Sequence, residues 1–155
     1  IARPRDFFDN ATPSGNSTAS DVLLRLAVIT GDEDFERKGT APLRALAPIV
    51  ESAPTGFGRL LAGLDFHLSR PQELAIVYPE SPSDARPLLD VALERYRPNL
   101  VLVGARVGEG AAVTPLLSDR EAVGGAATAY VCERFTCKLP TTDAHDLRRQ
   151  LDHAR

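Results

Sequence analysis

Apolar positions recur at helical spacing as soon as the chain leaves its first sixteen residues. Ala19, Val22, Leu23, Leu26, Ala27 and Ile29 form an i, i+3, i+4, i+7 stripe that predicts a helix packed on that face. Asn16 or Ser17 can cap its start, and Gly31 supplies its stop. A second helix is expected from near Asp32 through Phe35, Leu43, Leu46, Ile49 and Val50 to Pro54. Pro42 and Pro48 fall inside that pattern, and each removes an amide donor, so a kink or break is expected there. A third helix, Thr55 to about Ser69, carries Phe57, Leu60, Leu61, Leu64, Phe66 and Leu68 and ends before Pro71. Short connections between these elements imply antiparallel helical hairpins. Residues 1–16 read as extended or looped, because Pro4 and Pro13 disfavour helix in the residue before each.

The texture changes after Pro71. Leu74–Tyr78 is a short apolar, β-branched run that reads as a buried strand. Ser81-Pro-Ser-Asp84 starts a helix that reaches Tyr96, with Leu88, Leu89, Val91, Ala92 and Leu93 on it. Leu100–Gly104 is a second buried strand, so this stretch predicts a βαβ unit with parallel strands and a right-handed crossover. A glycine-rich loop runs to Gly110, a third strand covers about Ala127–Cys132, and Asp143 caps a last helix carrying Leu147 and Leu151. The expected fold class is α/β overall. Antiparallel helical hairpins fill residues 1–71, and a small three-stranded, mainly parallel α/β unit fills residues 72–155.

Composition narrows the function classes. The 155 residues are 43% hydrophobic and 25% charged, an ordinary globular balance. A net charge of -3 gives no electrostatic reason to expect nucleic acid or an anionic membrane surface as a partner. No apolar run approaches the roughly 18 residues of a membrane helix, and Ile-Ala-Arg-Pro-Arg is not a signal peptide, so a cytoplasmic location is expected. Two cysteines are too few for a disulfide scaffold. The absence of methionine points to a fragment or processed piece, and tryptophan, a frequent sugar-stacking residue, is also absent.

The run Arg3-Pro-Arg-Asp-Phe-Phe-Asp-Asn-Ala-Thr-Pro-Ser-Gly-Asn-Ser17 is the most distinctive stretch. With Thr30-Gly-Asp32, Ala53-Pro54, Gly56-Phe57, Pro115-Leu-Leu117, Ala127–Cys132 and Pro140–Asp143, it resembles the C-terminal third of the spermatogenesis-associated protein 20-like family. Members of that family join an N-terminal thioredoxin-like domain to a six-hairpin glycosidase-like α/α barrel. The resemblance implies that the helical half is the tail of an α/α toroid and the α/β half a C-terminal appendage. It also implies that the partners are the remaining barrel helices and the thioredoxin-like domain, whose CxxC motif lies outside this sequence.

Candidate chemistry concentrates in the same stretch. Asp6 and Asp9 could flank a glycosidic bond, since such carboxylates stand about 5–9 Å apart. The competing role is to cap turns or bind backbone amides; Arg3 and Arg5 could pair with them or be solvated. Ser14, Gly15 and Asn16 form a turn at a helix N-terminus, suited to an anion or a hydroxyl-rich ligand such as a sugar, or simply to helix entry. The loop Gly104–Gly110 follows a strand as phosphate-binding loops do, yet matches neither G-x-G-x-x-G nor the P-loop. On one continuous strand Cys132 and Cys137 would point to opposite faces, which predicts buried thiols rather than a disulfide; a bend at Glu133–Arg134 would undo this. His67, His145 and His153 lack metal-ligand spacing, with His67 expected at a helix edge and the others facing solvent. No metal and no cofactor are expected.

Together these readings describe a C-terminal fragment that contributes one wall of a carbohydrate cleft and is inactive alone. The alternative is a non-catalytic module that docks a partner domain or another protomer. Either way, a helical half cut from its toroid should expose apolar surface and self-associate.

Overall fold

A computed structural model describes residues 6–112, 114–134 and 136–152. The fold divides into two compact units, Ile1–Ser69 and Arg70–Arg155.

The first unit is helical. Helix α1 spans Gly15–Thr30; Ser14 caps it by accepting the Ser17 amide, and Gly31, at φ 70°, closes it with a left-handed turn. Helix α2 spans Glu33–Ser52, capped by Asp32, with Glu33, Asp34 and Glu36 in its first turn where the helix dipole favours carboxylates. The break expected at Pro42 and Pro48 does not occur: both lie inside one continuous helix. Each proline still forfeits an intrahelical bond. The apolar cluster of Leu46, Phe57 and Leu60, flanked by Leu43 and Val50, holds the helix through those positions. A single turn at Pro54–Gly56 leads into helix α3, Gly58–Leu68.

Helix α1 packs against both α2 and α3, and it does so on an unexpected face. Its buried residues are Ser17, Ser20, Asp21 and Leu24. The predicted apolar stripe is not the packed one: Ala19 and Val22 are exposed, and Leu23, Leu26, Ala27 and Ile29 are only half-buried. Small residues explain the choice. A Cβ on Gly39 would lie 3.1 Å from the Leu24 backbone nitrogen, so α1 and α2 touch nearly backbone to backbone. At that crossing the Ser20 hydroxyl donates to the Gly39 carbonyl at 2.6 Å.

The second unit is an α/β layer. Strand β1 spans Gln72–Tyr78 and β2 Leu100–Arg106, parallel and in register, joined through a turn at Pro82–Ala85 and helix α4, Arg86–Leu93. A capping box between Ser81 and Asp84 opens this crossover. Strand β3, Thr128–Glu133, pairs antiparallel with β1, and a two-residue β4, Thr136–Cys137, pairs antiparallel with β3. The sheet is therefore four-stranded and mixed, in the order β2-β1-β3-β4, which corrects the three-stranded, mainly parallel expectation. The described residues between β2 and β3 form single helical turns, among them Pro115–Leu117, and no crossover helix, so nothing in them imposes a parallel return. Helix α5, Ala144–Asp152, ends the unit, with the Asp146 amide donating to Asp143.

Strand alternation sends Leu74, Ile76, Ala129 and Val131 to one face with Leu88, Val91, Leu147 and Leu151. Ala75, Val77, Tyr130 and Cys132 line the other face with Ala105 and Leu117. No helix among the described residues is long and apolar enough to cross a membrane.

Candidate functional site

The segment Asp6–Ser17 meets the start of α3. Asp9 is the joint. Its Oδ1 accepts the Ser14 amide at 2.8 Å, and its Oδ2 accepts the amides of Arg59 at 2.8 Å and Leu60 at 3.2 Å. The Asp9 amide in turn donates to the Gly56 carbonyl at 2.7 Å. Helix α3 has no side-chain cap of its own at Phe57, so a carboxylate fifty residues upstream satisfies its first free amides. Partial burial pulls the Asp9 carboxyl upward, but the Ser14, Leu60 and Arg59 amides and the Ser17 hydroxyl outweigh it and hold its pKa below the ordinary 3.8.

That direction fixes a pH dependence. A depressed folded-state pKa gives stability that is present above the unfolded value and lost as pH falls through the folded one. Asp9→Ala should cost about 1–2 kcal/mol at neutral pH, the range for loss of a helix cap. In urea titrations the difference from the parent should shrink as pH falls below the ordinary carboxyl value of 3.8. An unchanged difference there would place the effect elsewhere than in the ionised carboxylate.

Asp6 differs from Asp9. It is exposed and forms no hydrogen bond or ion pair with another described residue. Phe7 and Phe8 beside it are also exposed, at 46% and 45%. Phe8 leans on Phe57, ring centroids 5.0 Å apart, and lies over Gly56, where a Cβ would come within 2.7 Å of its ring. Ser14 is buried, and its hydroxyl donates to the Ser17 hydroxyl at 2.9 Å, so it serves the helix entry. Gly15 is exposed, with nothing within 4 Å of the place a Cβ would occupy, and Asn16 is half-buried. Arg3, Arg5 and His153 lie outside the described residues.

Asp21 is the group that sequence reading passed over. It is 3% exposed and binds two guanidinium groups, Arg59 Nη2 at 2.6 Å and Arg25 Nε at 3.2 Å. Arg25 also lies 4.5 Å over the Phe66 ring. Its sequence signal is an acid at i, i+4 spacing from both Ser17 and Arg25. Arg59 gives its amide to Asp9 and its side chain to Asp21, so one residue ties the loop to the α1–α3 crossing.

In the second unit, the loop after β2 turns at Gly108, φ 83°, and meets a three-residue turn at Gly110–Ala112 rather than a long helix. Arg106 Nε donates to Glu109 at 3.0 Å. This loop borders a cleft of about 260 Å³ with Asp119, Arg120 and Glu121. His67 Nδ1 lies 3.7 Å from Glu36, and His145 is exposed.

Cys132 and Cys137 form a disulfide, which corrects the expectation of two buried thiols. The chain reverses at Arg134, φ 51°, and sets the two cysteines opposite each other across the β3–β4 hairpin. The alternation argument holds along one strand and lapses at the turn.

No family model matches the chain, and no solved structure matches it. It is 30% identical over 152 residues to spermatogenesis-associated protein 20 of Homo sapiens, and to the proteins of that name from Rattus norvegicus and Mus musculus. Each match covers 96% of this chain and 19% of the relative. The chain is thus a homologue, over nearly all of its own length, of a stretch amounting to about a fifth of spermatogenesis-associated protein 20.

Proposed function

We propose that this chain is a docking and wall-forming part of a longer protein, with its helical unit completed by further helices of that protein. The observation that carries this reading is the misplaced apolar surface of the helical unit. Helix α1 buries its serines and its aspartate and leaves the Val22–Ile29 stripe half-covered. Between α2 and α3 an open groove of about 340 Å³ is lined by Leu43, Ala47, Val50, Leu61 and Leu64. Apolar surface of this kind, outside a closed core, marks a contact surface. The occupant we assign is helical chain from the four-fifths of the relatives' length that this sequence does not match. An α/α toroid tail is the arrangement that would use both surfaces at once.

The test is sedimentation of this chain and of the longer protein, with and without Leu64→Asp. The isolated chain should self-associate, and the substitution should return it to a monomer while weakening the longer protein's helical packing. A monomeric parent chain whose stability is unmoved by Leu64→Asp would overturn the reading.

A second reading concerns the mouth of the same unit. Asp6 has no partner among the described residues, and it stands beside two exposed phenylalanines, the combination of an acid and flat apolar faces that suits a sugar. We assign Asp6, with Gly15 and Asn16, to the ligand side of a carbohydrate cleft, and Asp9 and Ser14 to its support. The chain alone is inactive on this reading, because glycoside chemistry takes two carboxylates and Asp9 already accepts three amides. In the longer protein, Asp6→Asn should abolish thermal stabilisation by sugars without moving the ligand-free melting temperature. Sugar-induced shifts that survive the substitution would exclude Asp6 from the cleft.

A further inference from the structure

The disulfide has a neighbour that a purely structural crosslink does not need. Arg120 Nη2 donates to Cys137 Sγ at 2.9 Å and lies 3.7 Å from Cys132 Sγ. The guanidinium is held in place: its Nε donates to the Leu116 carbonyl at 3.4 Å, and its carbon lies 4.8 Å over the Tyr130 ring. Tyr130 is fixed in turn, its hydroxyl donating to the Glu121 carbonyl at 2.8 Å and accepting the Glu121 amide at 3.2 Å. Among the described residues no carboxylate forms an ion pair with Arg120. A half-buried cation aimed at two sulfurs gains little from a neutral disulfide and much from a thiolate.

Access is one-sided. Cys132 is 2% exposed, while Cys137 is partly open. Both sulfur-bearing residues border a cleft of about 370 Å³ that is also lined by Arg70, Glu133 and Lys138, two cations against one carboxylate. The crosslink itself spans five positions across a hairpin already paired by its backbone. Closing so short a loop removes less chain entropy from the unfolded state than a long-range crosslink does.

We propose that Cys132 and Cys137 are a thiol–disulfide exchange site for a small anionic thiol, with Cys137 as the sulfur that is attacked and Arg120 as the group that stabilises the thiolates. A thiolate entering the cleft attacks Cys137 Sγ, the protein S–S bond breaks, and its electron pair leaves on Cys132 Sγ, which solvent protonates. A second thiolate then attacks the incoming sulfur of the mixed disulfide and expels Cys137 as a thiolate beside Arg120. Two small thiols, ionised by loss of their protons to solvent, become one small disulfide; two electrons pass to the protein, Cys132 takes up one proton from solvent, and Cys137 stays a thiolate beside Arg120. Arg120 touches both sulfurs of the exchange; Tyr130 positions it.

The experiment uses the full chain, glutathione as the anionic probe and cysteamine as the cationic one, with timed alkylation read by mass. Glutathione should reduce the folded chain faster than cysteamine, and the trapped mixed disulfide should map to Cys137. Arg120→Gln should slow reduction about tenfold, the scale of a lost charge beside a thiolate, and Arg120→Lys should restore most of the rate. Should Arg120→Gln lower the melting temperature, the single-cysteine chains decide: Cys132→Ser must leave a Cys137 that alkylates quickly, and Cys137→Ser a Cys132 that does not. Reduction only under unfolding conditions, adduct at Cys132, or equal rates with glutamine and lysine at position 120 would overturn the proposal.

Discussion

Phe57→Ala should unfold the helical unit more readily than any other single truncation in it, at a cost of about 3–5 kcal/mol. Phe57 is fully buried, packs against Leu46 and Leu60, and carries the Phe8 ring on its edge. It occupies the joint between the turn at Pro54–Gly56 and α3, so a cavity there loosens both the α2–α3 cluster and the seat of residues 6–14. The surroundings cannot collapse cheaply, since Gly56 and Gly58 on either side have no side chains to move in. Urea denaturation monitored by helical circular dichroism measures the loss. Leu68→Ala, at a site 73% exposed, is the control and should change stability by no more than about 0.5 kcal/mol. If the two substitutions cost the same, the core of this unit lies elsewhere.

Asp21→Ala should be the next most damaging change, at about 2–4 kcal/mol. Breaking a buried ion pair by removing one partner typically costs 3–5 kcal/mol. The lower figure applies because the Arg59 and Arg25 side chains are 44% and 31% exposed and recover some hydration. Asp21→Asn keeps the shape and one acceptor while removing the charge, so it should fall between the parent and the alanine variant. A double change with Arg59→Ala separates the contributions: if the pair is what stabilises, the two losses should be clearly less than additive. Full additivity would mean that Asp21 acts through the α1–α3 contact and not through Arg59.

The elements that sequence reading located well are those set by local pattern. Strands β1 and β2 are short apolar runs between turn signals, α5 follows an Asp cap, and the βαβ crossover follows from their order. What it missed depended on distant residues. The three amides that occupy Asp9 include two from residues fifty positions away, and nothing near Asp9 announces them. The packed face of α1 was misread because apolar periodicity assumes that the greasiest face is the covered one. Here Gly39 and Gly63 admit a closer approach along the serine face. The fate of the cysteines turned on the bend at Glu133–Arg134, the exception that sequence reading allowed to the alternation argument: Arg134 adopts a left-handed conformation that L-residues rarely take. Proline positions overstated the break in α2, because tertiary packing carried the helix through two missing bonds.

The Asp9 bridge also bears on the order in which the helical unit assembles. Its hydrogen bonds to the start of α3 close a loop of fifty positions, so they are expected to form after α1 and α2 have brought the two ends together. The Arg59 and Leu60 amides are therefore reporters of completion. In native-state hydrogen exchange they should open together with the Ser14 amide, as one late-forming cooperative unit at the beginning of α3.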